Sequence, residues 1–393
     1  MKEFELNKTV NFSILLLGIP VLAIWGNWIV TSIYILILFF LFLLEISTKA
    51  DINICLPYLP LWILIFLWNL YTASKANSLR IGFDYYAGTI VTPFLIYFVI
   101  LNANWNKQSL TRFFDFLILS GVILGLYSLY IFIDSGFNFK LRIPSIWESF
   151  NILSAYLMIL FLFNLSFLIN KNTFKKKIFY SITIVIILLG IFFTQTRGVW
   201  LATVLAIIFF VIKKPKVIIP TFLIMGAIGI LFFNVINDRF LSVKNFGNDV
   251  SSLGRLQAWL SSIILIQNNF FLGYGFDAYL QLRDTVFSFY FVELPHSHNT
   301  YLRMILESGF IGFVLYFIFF FAAFIFTFKL LKNKELTEYK GFLDGLQLSL
   351  FALLIAFNFE PYLSLYGIST IVIWIMITFA FMFKFNVKSL IKE

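Results

Sequence analysis

The chain of 393 residues contains two histidines, His296 and His298, separated by one serine in the stretch PHSHNTYLRMILESGFIG, residues 295–312. Imidazole is the side chain whose ordinary pKa lies nearest neutrality, so it can accept the proton of a hydroxyl nucleophile near pH 7. His298 stands at the start of a run with helical spacing. We therefore predict that His298 is a general base, with His296 and Asn299 as further site residues.

The same pair of histidines raises the question of a metal ion, because residues two apart point the same way on an extended chain. Zinc usually needs three good protein ligands. The sequence offers no third imidazole or thiolate on this side, only scattered carboxylates such as Asp277, Glu293 and Glu307. Glycine-rich nucleotide loops and Asp-x-Asp pairs are also absent from the sequence. We therefore predict neither a metal nor another cofactor, and we expect Glu307 to pair with Arg303 one helical turn earlier.

Arginines supply a second kind of chemistry. Arg197, in FFTQTRGVWLA, stands where a helix is predicted to begin, beside free backbone N–H groups and the positive end of the helix dipole. Arg255 lies in SLGRLQAW, while Arg142 and Arg80 are weaker candidates. Taken singly, each also fits an ordinary interfacial or solvated arginine. Because guanidinium matches phosphate as a planar fork, the group together predicts a diphosphate site.

The composition describes the structure that must position these residues. The chain is 61% hydrophobic and only 12% charged, with a mean hydropathy of +0.94, which identifies an integral membrane protein. Apolar runs long enough to cross a bilayer recur along its whole length. We predict a single all-α membrane domain over residues 1–393. Its twelve helices are predicted near 10–25, 28–46, 57–72, 86–103, 112–133, 151–169, 178–194, 198–212, 216–233, 309–331, 342–358 and 364–384.

Basic residues predict the topology. With the N-terminus inside, 19 of the 29 lysines and arginines fall in cytoplasmic stretches, and seven of the ten outside are arginines. This is the positive-inside pattern, so the net charge of +10 does not require a nucleic acid partner. Both termini are then cytoplasmic. The single cysteine, Cys55, falls in a predicted cytoplasmic loop, so no disulfide framework is expected.

The long connection between the ninth and tenth predicted helices, residues 234–297, then faces outward. Within it, Leu256, Trp259, Leu260, Ile263 and Ile264 recur at the spacing of an amphipathic helix. Such a helix would lie on the membrane surface or cap a cavity. Gly273 and Gly275 mark a turn before a second short helical stretch.

Four motifs follow one another between about residues 190 and 315: TQTRG before a helix, GRLQAW and GYG within the outer loop, and HNTYLRMILESGFIG leading into the next helix. Their order, spacing and common side of the membrane resemble the O-antigen ligase and polymerase superfamily of bacterial membrane glycosyltransferases. Outside that window, the resemblance extends only to helix number and arrangement.

The resemblance implies transfer of a glycan from undecaprenyl diphosphate to an acceptor hydroxyl at the outer, periplasmic face of the bacterial cytoplasmic membrane, without a metal. It assigns the donor diphosphate to Arg197 and Arg255 and the acceptor to His298, whereas His296 has no clear counterpart. The residues are chemically suited to this reaction. A sugar diphosphate carries its own leaving group, so the protein must mainly neutralise the developing negative charge. Direct displacement at the anomeric carbon would invert its configuration.

Several acceptors remain open at this point. We favour a ligase that attaches the glycan to a lipid A core, because one sizeable outer loop and the His-Asn motif fit that pattern best. A polymerase that extends a growing polysaccharide and a protein O-oligosaccharyltransferase use similar residues. A transporter of lipid-linked glycans is a further alternative, but it would usually carry ionisable residues near the middle of the membrane.

Overall fold

The computed structural model describes residues 12–48, 54–139, 141–147, 149–170, 173–215, 226, 250–363 and 367–386, and within them all regular structure is helical. The α-helices are α1 (Phe12–Leu15), α2 (Gly18–Ile24), α3 (Trp28–Thr48), α4 (Leu59–Ser74), α5 (Leu79–Tyr86), α6 (Thr92–Asn102), α7 (Lys107–Asp134), α8 (Phe150–Asn170), α9 (Phe174–Thr194), α10 (Arg197–Lys213), α11 (Val250–Asn268), α12 (Ala278–Leu282), α13 (Thr300–Leu331), α14 (Lys340–Ala356) and α15 (Ile368–Phe385). A π-helical turn, Ala87–Val91, joins α5 to α6, and 3-10 turns occupy Arg283–Thr285 and Lys334–Tyr339.

Eight helical segments in the described part of the chain are long and apolar enough to cross a membrane, and the shorter helix α4 is also apolar. The eight are Trp28–Glu45, Leu79–Asn102, Lys107–Asp134, Phe150–Asn170, Phe174–Thr194, Thr300–Leu331, Lys334–Ala356 and Ile368–Phe385. The all-helical membrane fold is therefore confirmed. The count of twelve is not. The ninth predicted helix apart from residue 226, the start of the predicted loop at 234–297 and both termini lie outside the described residues.

Several predicted helix boundaries differ from the structure, and two of them concern the first half of the chain. The first predicted helix is divided into α1 and α2. The predicted helix at 86–103 begins earlier, at Leu79, because the Ser78 hydroxyl accepts a hydrogen bond from the Ile81 amide, 3.2 Å long, and caps a mixed polar turn that hydropathy overlooks.

Helix α8 forms the centre of the bundle. It packs closely against α9 on one side and α14 on another, and most of its residues are buried. Its polar side chains have partners inside the bundle: the Ser120 and Tyr156 hydroxyls lie 2.5 Å apart, and Asn164 contacts Thr183 at 2.7 Å. Because α8 is fixed on all sides, its first turn gives a rigid base for the residues at that end of the bundle.

The lysines that follow α10 and the segment that carries the histidines lie at opposite ends of the bundle. Helix α10 begins at Arg197 and ends at Lys213, a length of about 25 Å for its 17 residues. Beyond that end, Lys214 forms an ion pair with Asp344 in the first turns of α14. The other end of α14 leads to Glu360, beside the histidines. The structure thus separates the two groups of residues along the helices that connect them.

Helix α13 is longer than the predicted 309–331 and is interrupted at Gly309, where φ is +69°. The interruption lets segment 270–275 dock against the helix: the Phe310 amide donates to the Phe270 carbonyl at 2.8 Å, and the Gly275 amide donates to the Glu307 carbonyl at 2.9 Å. A Cβ atom at Gly309 would collide with the Phe271 carbonyl. Glycine is therefore required here on two grounds, its positive φ and the close backbone approach.

The amphipathic helix expected in the loop is present as α11, and its faces are distributed unexpectedly. Its small residues pack inward against α13, with Gly254, Ala258, Ser261 and Ser262 buried. Four of the five apolar residues of the predicted stripe point outward, with exposed fractions of 40% for Leu256, 45% for Leu260, and 41% each for Ile263 and Ile264. Trp259 is half-buried, and Leu265 and Ile266 beyond it are buried. An exposed apolar stripe of this kind fits the membrane-surface interpretation better than that of a helix whose apolar face covers a cavity.

Candidate active site

A carboxylate meets the second histidine where α13 begins and α14 has ended. His298 Nδ1 lies 2.7 Å from Glu360 Oε2, and 12% and 6% of their side chains are exposed. Two further bonds fix the segments together: the Thr300 amide donates to the Phe357 carbonyl at 2.8 Å, and the Thr300 hydroxyl donates to the Glu360 carbonyl at 2.7 Å. A carboxylate at Nδ1 holds a proton on that nitrogen, so Nε2 is left to accept one.

His296 lies against the same carboxylate. Its Nε2 is 3.5 Å from Glu360 Oε1, and its ring centroid is 4.2 Å from that of His298. Burial lowers the pKa of His296 well below its usual value, and the nearby His298, Arg303 and Arg255 lower the pKa further. His296 is therefore neutral near pH 7.

A polar chain continues from Glu360 to the junction of α9 and α10. The Asn151 amide donates to Glu360 Oε2 at 2.9 Å, and Arg142 Nη2 lies 3.4 Å from Asn151 Oδ1. Arg142 Nε also donates to the Thr194 carbonyl at 3.1 Å. Arg142 is thus joined to the histidines through Asn151, and part of its hydrogen-bonding capacity serves the α9–α10 turn.

The turn itself presents Arg197. Gln195 adopts a left-handed conformation with φ +50° and donates to the carbonyls of Phe139 and Leu141, at 2.7 and 2.9 Å. Arg197 then begins α10, as its position in the sequence predicts. The next residue, Gly198, packs so closely on Phe359 that a Cβ atom would lie 2.6 Å from that side chain. The start of α10 therefore abuts the segment that carries Glu360.

Helix α11 brings the second predicted arginine to this place. Arg197 Nη2 lies 3.4 Å from the Ser252 hydroxyl, and Arg255 follows Ser252 by about one helical turn. The charge of Arg255 contributes to the lowered pKa of His296, which indicates its proximity to the histidines. Arg255 is half-buried and makes neither a hydrogen bond nor an ion pair with any other residue that the structure describes.

The two remaining predicted site residues are Asn299 and Arg80. Asn299 caps α13: its Oδ1 accepts from the Leu302 amide at 3.0 Å, and its Nδ2 donates to the Asn358 carbonyl at 3.4 Å. It therefore shapes the turn that carries His298. Arg80 is exposed in the first turn of α5 and makes no bond to the histidines within the described ranges.

Sequence reasoning did not identify Glu360 and Asn151. Glu360 lies 62 residues from His298, and Asn151 lies 209 residues from Glu360, so neither belongs to a local motif. One signal was available. Glu360 is a carboxylate between two predicted helices, at the same predicted side of the membrane as the histidines. The carboxylates that the sequence analysis named beside the histidines, Asp277, Glu293 and Glu307, did not include Glu360, and it is Glu360 whose ligand atom lies within 4.8 Å of those of His296 and His298.

Comparison with known families agrees with the motifs. Residues 182–317 match a protein family described as O-antigen ligase. The matched region contains Arg197, Arg255, His296 and His298, and it confirms the resemblance to the O-antigen ligase and polymerase superfamily. A search of curated proteins found no match. The family match supports a ligase- or polymerase-type function, and with the apolar helices it indicates a bacterial membrane protein.

Proposed function

We propose that the protein is a glycosyltransferase that moves a glycan from undecaprenyl diphosphate to an acceptor hydroxyl. The observation that carries this proposal is the contact of 2.7 Å between His298 Nδ1 and Glu360. The half-buried Arg255 lies near this contact, one helical turn beyond the Ser252 hydroxyl that faces Arg197. His298 is a base held in one tautomer, and Arg255 is a cation positioned to bind the donor diphosphate. These are the two functions that transfer from a lipid diphosphate requires.

The reaction proceeds by direct displacement. The acceptor oxygen forms a bond to the anomeric carbon while the bond from that carbon to the diphosphate oxygen breaks. The hydroxyl proton passes to His298 Nε2, and Glu360 stabilises the resulting imidazolium. Arg255 and Arg197 neutralise the departing undecaprenyl diphosphate, aided by the positive end of α10. Attack opposite to the leaving group inverts the anomeric carbon, and no step requires a metal or a nucleotide.

The membrane arrangement follows from the same proposal. The lysine-rich end of the bundle faces the cytoplasm, by the positive-inside rule, together with both termini. The histidines then face the outer side of the cytoplasmic membrane. The outward apolar face of α11 rests in the interface there, so Arg255 lies at the depth of lipid headgroups.

Among acceptors we favour the lipid A core, which makes the protein an O-antigen ligase. A polymerase of the same superfamily uses a growing polysaccharide instead, and a protein O-oligosaccharyltransferase uses a side-chain hydroxyl. These alternatives differ in acceptor and not in the site residues, so they are distinguished by their products.

The test is mass spectrometry of products made by purified protein in lipid with undecaprenyl diphosphate carrying one repeat unit. Glycan on a lipid A core, formed only when core is added, establishes the ligase. A ladder of longer lipid-linked chains without core means a polymerase. His298→Ala should abolish either product. Lys107→Ala is the matched control at the opposite end of the bundle, where Lys107 pairs with Glu338 on the surface. Equal activity of His298→Ala and unchanged protein would overturn the proposal.

A further inference from the structure

The side chains of His296, His298 and Glu360 form a ligand set that the transfer reaction does not require as a set. Their ligand atoms lie within 4.8 Å of one another. Two imidazoles and one carboxylate are a common zinc ligand set that leaves a fourth position open. We propose that these three residues bind a divalent transition-metal ion of the zinc class and that the bound ion switches off glycan transfer. The inhibitory part of this inference rests on the proposed function, whereas the binding part does not.

The geometry needs little adjustment. Ligand atoms around a tetrahedral zinc ion lie about 3.3 Å apart when the bonds are about 2.0 Å long. Here Nε2 of His296 is 3.5 Å from one Glu360 oxygen, and Nδ1 of His298 is 2.7 Å from the other. The most widely separated ligand atoms lie within 4.8 Å of each other, so rotations of the side chains must draw that pair closer to admit an ion between the three groups.

The local backbone already orients the first histidine. The His298 amide donates to His296 Nδ1 at 3.3 Å, so the remaining nitrogen of His296, Nε2, points towards Glu360. The Ser297 hydroxyl between them donates to the Asn299 carbonyl at 3.1 Å and is fully buried. Asn151 supports the carboxylate from behind, as residues outside the first ligand shell do in metal sites.

The surrounding charge selects the kind of metal. Arg303 and Arg255 are close enough to His296 to influence its protonation, and they oppose any cation placed beside it. Mg²⁺ and Ca²⁺ prefer several oxygen ligands, and here they would find one carboxylate among positive charges. Zn²⁺, Co²⁺, Ni²⁺ and Cu²⁺ form strong bonds to imidazole and overcome this opposition.

Occupation removes the base. A metal ion bound to His298 Nδ1 takes the place of the proton that this nitrogen donates to Glu360. In the neutral ring, that proton moves to Nε2, so Nε2 becomes a donor and no longer accepts the acceptor's proton. No oxidation and no net proton release from His298 accompany this change. Transfer therefore stops for as long as the ion stays bound.

Binding is tested with Co²⁺, whose ligand-field absorption reports four-coordinate imidazole sites, on the full-length protein in detergent without donor or acceptor. We expect one ion per chain, displaced by Zn²⁺ and not by Mg²⁺. His296→Gln and Glu360→Gln each remove a direct ligand, so each should weaken binding by more than the about 10- to 100-fold that follows from changing an outer-shell partner. Glu293→Gln is the control in the same loop, because Glu293 pairs with Arg283 at 3.1 Å and should leave Co²⁺ binding unchanged.

Unchanged binding in both His296→Gln and Glu360→Gln, each eluting as a monodisperse species, overturns the inference, as does absence of the Co²⁺ band in the original protein. Inhibition is tested separately by adding Zn²⁺ and then a chelator to the transfer assay, where activity should fall and return. Metal binding in a protein that transfers no glycan overturns the proposed function and leaves the site. Transfer that continues with Zn²⁺ bound overturns the inhibition alone.

Discussion

Two charged clusters are centred on one short stretch of chain, residues 298–307, and they differ in how completely their charges are paired. Arg303 is almost completely buried and surrounded by partners: Glu307 Oε1 at 2.7 Å, the Tyr85 hydroxyl at 2.8 Å and Asp277 Oδ1 at 3.8 Å. Five residues earlier, His298 faces Glu360, with Arg255 nearby. The pairing of Arg303 with Glu307, expected from their spacing, is confirmed. One arginine therefore faces two carboxylates in the first cluster, and each of these charged groups has a partner within the described fold.

The comparison shows how structural and functional charges differ in a membrane protein. A buried charge is costly unless it is paired, so the Arg303 cluster connects α5, α13 and the segment that carries Asp277 at a fixed place. Arg255 stays half-buried without an ion pair among the described residues, which favours an anion brought by a ligand. Substitutions in the Arg303 cluster should therefore lower stability, whereas substitutions of Arg255 should lower turnover.

The largest effect is expected from breaking the Arg303 cluster. Arg303→Met leaves Glu307 buried without its partner, which should lower the free energy of unfolding by about 3–5 kcal/mol. Adding Glu307→Leu should recover part of this loss. Denaturant unfolding in detergent micelles measures both. Glu338→Gln, which breaks the exposed pair with Lys107, is the control and should change little. Equal effects of Arg303→Met and Glu338→Gln would contradict the structural role.

The next effect should appear in catalysis without a loss of stability. Arg255→Ala should lower kcat/KM for the lipid-linked donor by about 10²-fold, the range for removing one stabilising donor at a developing charge. Arg255→Lys should recover only part, because an ammonium lacks the bidentate fork. Steady-state kinetics and the thermal unfolding midpoint are measured together.

The matched control for Arg255 is Arg283, an arginine of the same loop that is bound internally. Arg283 donates to the Leu294 carbonyl at 2.8 Å and to Glu293 at 3.1 Å. Arg283→Lys should therefore lower the unfolding midpoint and leave the donor KM unchanged. If Arg255→Lys and Arg283→Lys change the unfolding midpoint and the donor KM alike, Arg255 has no separate role in donor binding.

An effect of similar size, but confined to kcat, should identify Glu360 as a positioning residue. In Glu360→Gln the amide can no longer hold the Nδ1 proton of His298 as a carboxylate does. We therefore expect kcat to fall by about 10²-fold, the lower end of what a general base contributes, while the donor KM changes little. Glu360→Asp should restore part of kcat, because the carboxylate is kept. A parallel rise in donor KM, or no difference between the two variants, would indicate a merely structural role.

The sequence predicted one half of this comparison better than the other. Arg197 and His298 stand at helix starts, where local signals are strong, and the Arg303–Glu307 pair follows from helical spacing. Glu360, Asn151 and Tyr85 could not be found this way, because each meets its partner across a long stretch of chain. The orientation of α11 could not be predicted from the sequence either. The spacing of its apolar residues indicates an amphipathic helix, but only packing decides whether its small or its large residues face the protein.

The smallest effect is a pH dependence of stability that belongs to His296. Burial, followed by the charges of His298, Arg303 and Arg255, holds the pKa of His296 below its usual value of about 6.5. Below pH 6.5 the unfolded chain then binds a proton that the folded chain does not, so stability falls with decreasing pH until the folded pKa is reached. Thermal unfolding midpoints should therefore fall as the pH is lowered from 7 to 5.5. His296→Gln should flatten thermal unfolding midpoints between pH 7 and 5.5, whereas Lys107→Gln, which does not titrate there, should keep the slope. A His296→Gln slope equal to that of the original protein would mean that His296 is protonated in the fold.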